Sequence, residues 1–254
     1  MVKKVSLEVE GLHLAAEIDL PAGKGPHPAV CICHGVPAKR TPEPTDRGYP
    51  LLAEKFSSGG FVSLIFNFRG TGDSEGNFDM LGWTRDLKAA IDYLYHLDEV
   101  DKSRLSLVGF SGGAMASVYV AANDKRITSL VACACPARFF GIWEFSRIEE
   151  FLAHCRQVGI IRDSNFPPSV EEWARGFDKV SSIKWIHKIS PRRLFIVHGS
   201  NDLTVPLSHA WDLYNKAKEP KEISIISGAE HKLRLSEPAM NAVLAWLRKV
   251  NGLA

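Results

Sequence analysis

The sequence predicts an α/β domain: a mostly parallel sheet of about eight strands, helices on both faces, and a small helical cap inserted after the sixth strand. Three observations predict it. From residue 29 onward, strand-like and helix-like segments alternate, which is the pattern of parallel strands joined by crossover helices. The strand-like segments are near-continuous apolar runs, such as Phe61-Val62-Ser63-Leu64-Ile65-Phe66, as expected when helices cover both faces of a sheet. The chain has 254 residues, 45% hydrophobic and 24% charged, enough for one large domain over 1–254.

Two amphipathic strands, over 4–10 and 13–20, open the chain; Gly11 links them and Pro21-Ala22-Gly23 closes them, so they read as an antiparallel hairpin. The alternation then runs strand 29–34, helix 49–58, strand 61–68, helix 83–96, strand 104–108, a helix from Ser111 and strand 128–134. Helix 83–96 carries Leu87, Ala90, Ile91 and Leu94 at spacings of three and four, an apolar stripe for the sheet. Between residues 137 and 190 the alternation stops. That segment holds nine of the chain's 24 Phe, Trp and Tyr residues, and spacings such as Phe145, Ile148, Phe151 and Leu152 suggest a helical cap. Its aromatics suit either the cap's own small core or an apolar roof over a substrate. The alternation resumes with strand 193–197, helix 206–217, strand 222–226 and a final helix over 237–250.

Composition narrows the functional classes. Thirty-one basic against 29 acidic residues leave a formal charge of +2, too little to attract nucleic acid or an anionic membrane surface. Charge interrupts the N-terminus where a signal peptide needs its apolar stretch, and no run approaches the ~20 apolar residues of a membrane span. A soluble, cytoplasmic protein is expected, with homo-oligomerisation left open. Five cysteines, an odd number without disulfide spacing, fit a reducing compartment. Cys31, Cys33, Cys133 and Cys135 fall in strand-like runs and, with Cys155, read as small core residues rather than metal ligands.

Chemistry enters at Gly109-Phe110-Ser111-Gly112-Gly113, a G-x-S-x-G pentapeptide between an apolar strand and a small-residue helix. In such an elbow the glycines let the chain turn sharply, and the serine hydroxyl is left exposed as a nucleophile. The hydroxyl needs an imidazole to take its proton and a carboxylate to orient that imidazole. Functional groups in parallel sheets gather beyond the carboxyl ends of strands. Asp202, after 194–197, and His231, after 223–226, hold that position; Asp124, Asp163, Asp178, Asp212, His154, His187 and His209 do not. His198 ends its own strand too near Asp202 to be oriented by it. Gly70-Thr71-Gly72 is not a dinucleotide loop, because Glu75 stands at the third glycine position and an acidic turn repels pyrophosphate. Neither G-x-x-x-x-G-K-[ST] nor H-E-x-x-H occurs, so no cofactor or metal is expected.

The order Ser111, Asp202, His231 is that of the α/β-hydrolase superfamily, which the chain resembles along nearly its whole length. The segment His198-Gly199-Ser200-Asn201-Asp202-Leu203-Thr204-Val205-Pro206 is similar to the acid loop of the dienelactone-hydrolase-like and prolyl-oligopeptidase-like branches, and 67–76 to their turn after the fourth strand. An insertion after the sixth strand resembles the lid of the cinnamoyl and feruloyl esterases. The resemblance implies a serine esterase on an α/β-hydrolase fold, and the aromatic cap favours a small-molecule ester with a medium-sized apolar or aromatic acyl group. The resemblance also implies that the backbone N–H groups of Val36, after His34-Gly35, and of Gly112 form the oxyanion hole. Two rivals stand beside this reading: a peptidase or amide hydrolase using the same three side chains, and a hydrolase-fold binding protein without turnover.

Overall fold

The computed structural model describes residues 2–38, 46, 48–139 and 144–253. Eight strands form one sheet: β1 (Val2–Val9), β2 (Leu12–Asp19), β3 (His27–Cys33), β4 (Val62–Phe66), β5 (Val100–Phe110), β6 (Ile127–Cys133), β7 (Arg193–Gly199) and β8 (Lys221–Ile226), in the order β1-β2-β4-β3-β5-β6-β7-β8. The opening hairpin pairs antiparallel, and β2 meets β4 antiparallel. All remaining pairs, from β4 to β8, are parallel. In these parallel ladders Cys33 pairs with Gly109, Phe110 with Cys133, Cys133 with Val197 and Gly199 with Ile226. The carboxyl ends of β3, β5, β7 and β8 therefore share one rim, and the loops leaving them meet there.

Helices α1 (Gly48–Ser58) and α7 (Glu237–Val250) cover one face, packing Phe56, Val243 and Leu247 on Val30, Ile32, Val108 and Val131. Helices α2 (Met80–His96), α3 (Gly112–Asn123) and α6 (Ser208–Lys216) join the core of the other face. Burial on both sides is why every residue of β4 is inaccessible and why its sequence shows no polar alternation.

Most element boundaries shift by a few residues from the sequence expectation, and the starts of α2 and β5 are two examples. Helix α2 starts at Met80, not Trp83, because Asp79 caps it, its carboxylate accepting from Leu81 N–H at 3.2 Å and Gly82 N–H at 2.8 Å. Strand β5 starts at Val100, where polar residues 101–104 precede the apolar run. The cysteines are buried in the core, but the two pairs sit differently. Cys31 and Cys33 do share one face, but Cys133 lies in the core of one face and Cys135 in that of the other. Cys135 lies beyond the end of β6, past Ala134 at φ 46°, so the strand's alternation no longer applies to it. All five thiols are free and buried.

The insertion contains α4 (Ile148–Val158) and α5 (Val170–Val180). Phe139, Phe151, Trp173 and Phe177 pack on one another, Phe139 stacked on Phe177 with ring centroids 4.1 Å apart and Trp173 meeting Phe177 edge-on at 5.1 Å. They continue into the main core through Phe78, 5.7 Å from Phe177, which in turn meets Trp83 at 4.9 Å. Of the two roles open to these aromatics, these four serve as core. Phe140 and Trp143 lie outside the described residues. Among the described residues no helix is long and apolar enough to cross a membrane.

Candidate active site

The elbow forms because two glycines admit backbone where a side chain cannot fit. A Cβ on Gly109 would lie 2.5 Å from Ala114 Cα, and one on Gly113 would lie 2.2 Å from His34 O and 2.6 Å from Cys33 O. Between them Ser111 takes φ 51°, ψ −121°, a conformation that non-glycine residues adopt at a cost of ~1–3 kcal/mol and that recurs at functional positions. Ser111 N–H donates to Cys133 O at 3.0 Å, and Ser111 O accepts from Ala114 and Met115 N–H at 2.9 and 3.2 Å, which hold the turn. The hydroxyl is thus presented at the N-terminus of α3, where amide dipoles favour negative charge.

The structure brings the three sequence-predicted side chains together. His231 Nε2 lies 3.0 Å from Ser111 Oγ, and its Nδ1 lies 2.8 Å from Asp202 Oδ2. With the carboxylate ionised, Nδ1 carries the proton and donates to it, leaving Nε2 to accept from the hydroxyl. Asp202 is itself fixed, since Oδ1 accepts from Thr204 N–H at 2.9 Å and Val205 N–H at 2.8 Å. Burial pushes its pKa up, but the bonds from His231 and Val205 outweigh burial and hold it below the ordinary range, so it is ionised at neutral pH.

The two backbone positions, Val36 and Gly112, lie close together beside Ser111. A Cβ on Gly35 would touch Ser111 Cβ at 2.9 Å, and one on Gly112 would lie 2.9 Å from Val36 Cγ2 and 3.6 Å from Val36 N. Gly112 N–H belongs to the first turn of α3, whose amides have no partner within the helix.

Two further histidines lie at this centre. In the sequence His34 opens the His34-Gly35-Val36 segment that the resemblance links to the oxyanion donor, with no role for its own ring. Its Nε2 accepts from Phe68 N–H at 3.1 Å while Nδ1 donates to Gly35 O at 2.8 Å, so it straps the end of β3 to the turn after β4. Burial pushes its pKa down to about 4, and it stays neutral. His198, which its place at the end of β7 excludes as the imidazole oriented by Asp202, donates its Nε2 proton to Val205 O at 2.8 Å and lies 3.4 Å from Asp202 Oδ2, while His231 holds the 2.8 Å contact. Its contact arises because 199–202 turns back on the strand, a bend that sequence spacing does not reveal.

The 70–76 turn holds structure rather than ligand. Thr71 Oγ1 donates to Phe68 O at 2.7 Å, Ser74 Oγ donates to Asn67 O at 2.6 Å, and Ala15 N–H donates to Ser74 Oγ at 3.0 Å. The adjacent Arg69 makes a forked pair with fully buried Asp86, Nε–Oδ1 2.9 Å and Nη2–Oδ1 2.7 Å. Among the described residues no group of three or more His, Cys, Asp or Glu is placed to hold a metal ion.

A family model described as X-Pro dipeptidyl-peptidase (S15 family) matches residues 10–145, more than half of the chain. The chain belongs to this S15 family of α/β hydrolases. The chain is 28% identical over 176 residues to the uncharacterized protein YfhR of Escherichia coli O157:H7, covering 67% of this chain and 53% of YfhR. It spans about half the length of the curated relatives it matches. Solved structures carry the fold further. The α/β hydrolase GrgF from Penicillium sp. sh18 superposes with TM-score 0.76 at 20% identity, over 99% of both chains. Est1E from Butyrivibrio proteoclasticus, solved also with ferulic acid bound, superposes with TM-score 0.72 at 19% identity, over 97% of this chain and 96% of Est1E.

Proposed function

We propose that the chain is a cofactor-free serine hydrolase that cleaves carboxylic esters through an acyl-enzyme. One observation carries this reading: a single imidazole bridges a strained serine hydroxyl and a buried, hydrogen-bonded carboxylate at 3.0 and 2.8 Å. Ser111 Oγ attacks the ester carbonyl as His231 Nε2 takes its proton, and Asp202 stabilises the resulting imidazolium. Val36 and Gly112 N–H groups receive the negative charge on the carbonyl oxygen, a contribution worth ~10²–10³ in turnover per donor in comparable sites. The imidazolium then protonates the leaving alkoxide. Water, deprotonated by the same imidazole, attacks the acyl-enzyme and releases the carboxylic acid with Ser111 restored.

The ester preference is supported by the likeness to Est1E. A medium-sized apolar or aromatic acyl group is supported by the Val36 side chain beside Gly112 and by the ferulic acid bound to that relative. A second reading, a peptidase or amide hydrolase, is favoured by the family match itself. We propose a small-molecule substrate acted on in the cytoplasm, with no nucleic-acid or membrane partner.

The test begins with a fluorophosphonate probe and continues with nitrophenyl esters of graded chain length and matched anilides. The wild type is expected to be labelled and Ser111→Ala not, with turnover lowered by at least about 10⁴-fold. Faster turnover of anilides than esters would favour the peptidase, and an unlabelled folded wild type would leave a binding protein.

A further inference from the structure

We infer that Arg234 is a positioning residue that locks the loop carrying His231 to the oxyanion side of the site. The inference rests on the hydrolase reading above and adds to it a part that sequence order does not contain. Arg234 follows His231 by three residues, in a 3₁₀ turn (Leu233–Leu235) anchored by fully buried Leu233. Its guanidinium forms a fork with the Asp46 carboxylate, Nη1 donating to Oδ1 and Nη2 to Oδ2. The pair is withdrawn from solvent, the two side chains being 15% and 4% exposed. The bond from Arg234 chiefly, and Gly48 N–H besides, keeps the Asp46 carboxyl below its ordinary range despite burial.

The contact continues past Asp46. Arg234 Cζ lies 5.1 Å over the centroid of the Tyr49 ring. The Tyr49 ring meets Phe110 edge-on at 5.7 Å and His34 at 5.9 Å. Through one ring, therefore, a single cation reaches Phe110, the residue before Ser111, and His34, two residues before Val36. On its opposite side the same loop is tied to the acid loop, Asn201 N–H donating to Ala229 O at 3.0 Å and Gly228 N–H to Ser200 Oγ at 2.8 Å. The imidazole of His231 is thus held between two fastenings, and Arg234 supplies the one that faces the oxyanion donors.

The physical requirement is for registration rather than for binding strength. A buried ion pair is a poor source of stability, because desolvation offsets its attraction. A bidentate fork does supply a fixed distance and angle. Proton transfer from Ser111 needs donor and acceptor within about 2.6–3.2 Å, and a misplacement of about 1 Å costs on the order of 10²-fold. Lysine cannot reproduce the fork or lie flat on the tyrosine ring.

The experiment compares Arg234→Met, Arg234→Lys, Asp46→Asn and the Asp46→Asn/Arg234→Met double variant with wild type. It reads pre-steady-state acylation by nitrophenyl acetate and the downfield proton resonance of the His231–Asp202 hydrogen bond. Arg234→Met and Asp46→Asn are each expected to slow acylation about 10–100-fold. KM should change by less than about threefold, because ground-state binding is untouched. The double variant should be no slower than Arg234→Met, since both remove one fork, and Arg234→Lys should recover part of the rate. The resonance should broaden in the slow variants. If Arg234→Met does not fold, the isosteric Asp46→Asn carries the comparison. Acylation within about twofold of wild type in the folded variants, or a loss confined to KM, overturns the inference. Failure of the hydrolase reading looks different: wild type takes up no fluorophosphonate, while the resonance still reports whether Arg234 holds His231, an unchanged line width overturning the role.

Discussion

At the scale of single residues, His34 links fold stability to pH. It is 8% exposed, neutral, and bonded at both ring nitrogens. Burial depresses its folded pKa to about 4 from 6.5, so between those values the unfolded chain binds the proton and the folded chain does not. Stability is therefore fully present above about pH 6.5 and falls as pH drops toward 4, by at most about 3 kcal/mol from this group. Burial also depresses His198 and His209, and they add to the loss in the same direction. His34→Gln keeps an acceptor for Phe68 N–H and does not titrate. Its melting temperature is expected to fall less steeply than that of wild type between pH 6.5 and 4, as differential scanning fluorimetry across that range would read. Equal slopes would mean that His34 is protonated without penalty. None of this is legible in the string His34-Gly35: the strap depends on Phe68, which arrives from another strand end.

At the scale of the element, the strand–turn–helix around Ser111 was legible because its requirements are local. Glycine at 109 and 113 follows from steric contacts that any such elbow makes, and the apolar strand and small-residue helix frame it within the same stretch of chain. Gly113→Ala forces a methyl to within 2.2 Å of His34 O, a backbone atom that cannot move aside without displacing Gly35 and Val36. We expect a loss of about 3 kcal/mol in denaturant midpoint experiments and, if Val36 is the oxyanion donor proposed above, about 10²-fold in kcat, because Val36 moves with the strand end. Unchanged kcat in a folded variant would separate Val36 from the oxyanion role. The helix start at Met80 was less legible, since the Asp79 cap precedes the periodic apolar stripe by several residues.

At the scale of the whole molecule, the insertion is welded to the sheet by its aromatics rather than laid over the site as a loose roof. Phe177 is completely buried and packs against Phe78, Phe139, Phe151 and Trp173. Phe177→Ala is expected to cost about 3–5 kcal/mol, with kcat on a short nitrophenyl ester changed by less than about threefold at temperatures where the variant is folded. A small stability loss with a large rise in KM would instead place Phe177 in substrate contact. The sequence shows that this segment is aromatic and helical; it cannot show which way the rings point, because core and pocket demand the same residue types. The four described rings face inward because the apolar surface of α2, with Phe78 and Trp83, lies directly beneath them.

By itself the sequence determined the class of the fold, the nucleophile elbow and the order of its partners, because strand burial, helix periodicity and tight-turn sterics are short-range demands written into neighbouring residues. Only the tertiary structure decided the fork between Arg234 and Asp46, the strap of His34 and the contact of His198 with Asp202. The fork and the strap join residues from different strand ends, and His198 meets Asp202 only because the loop after β7 turns back; the rim where they meet exists only once the parallel ladders have set β3, β4, β5, β7 and β8 in register.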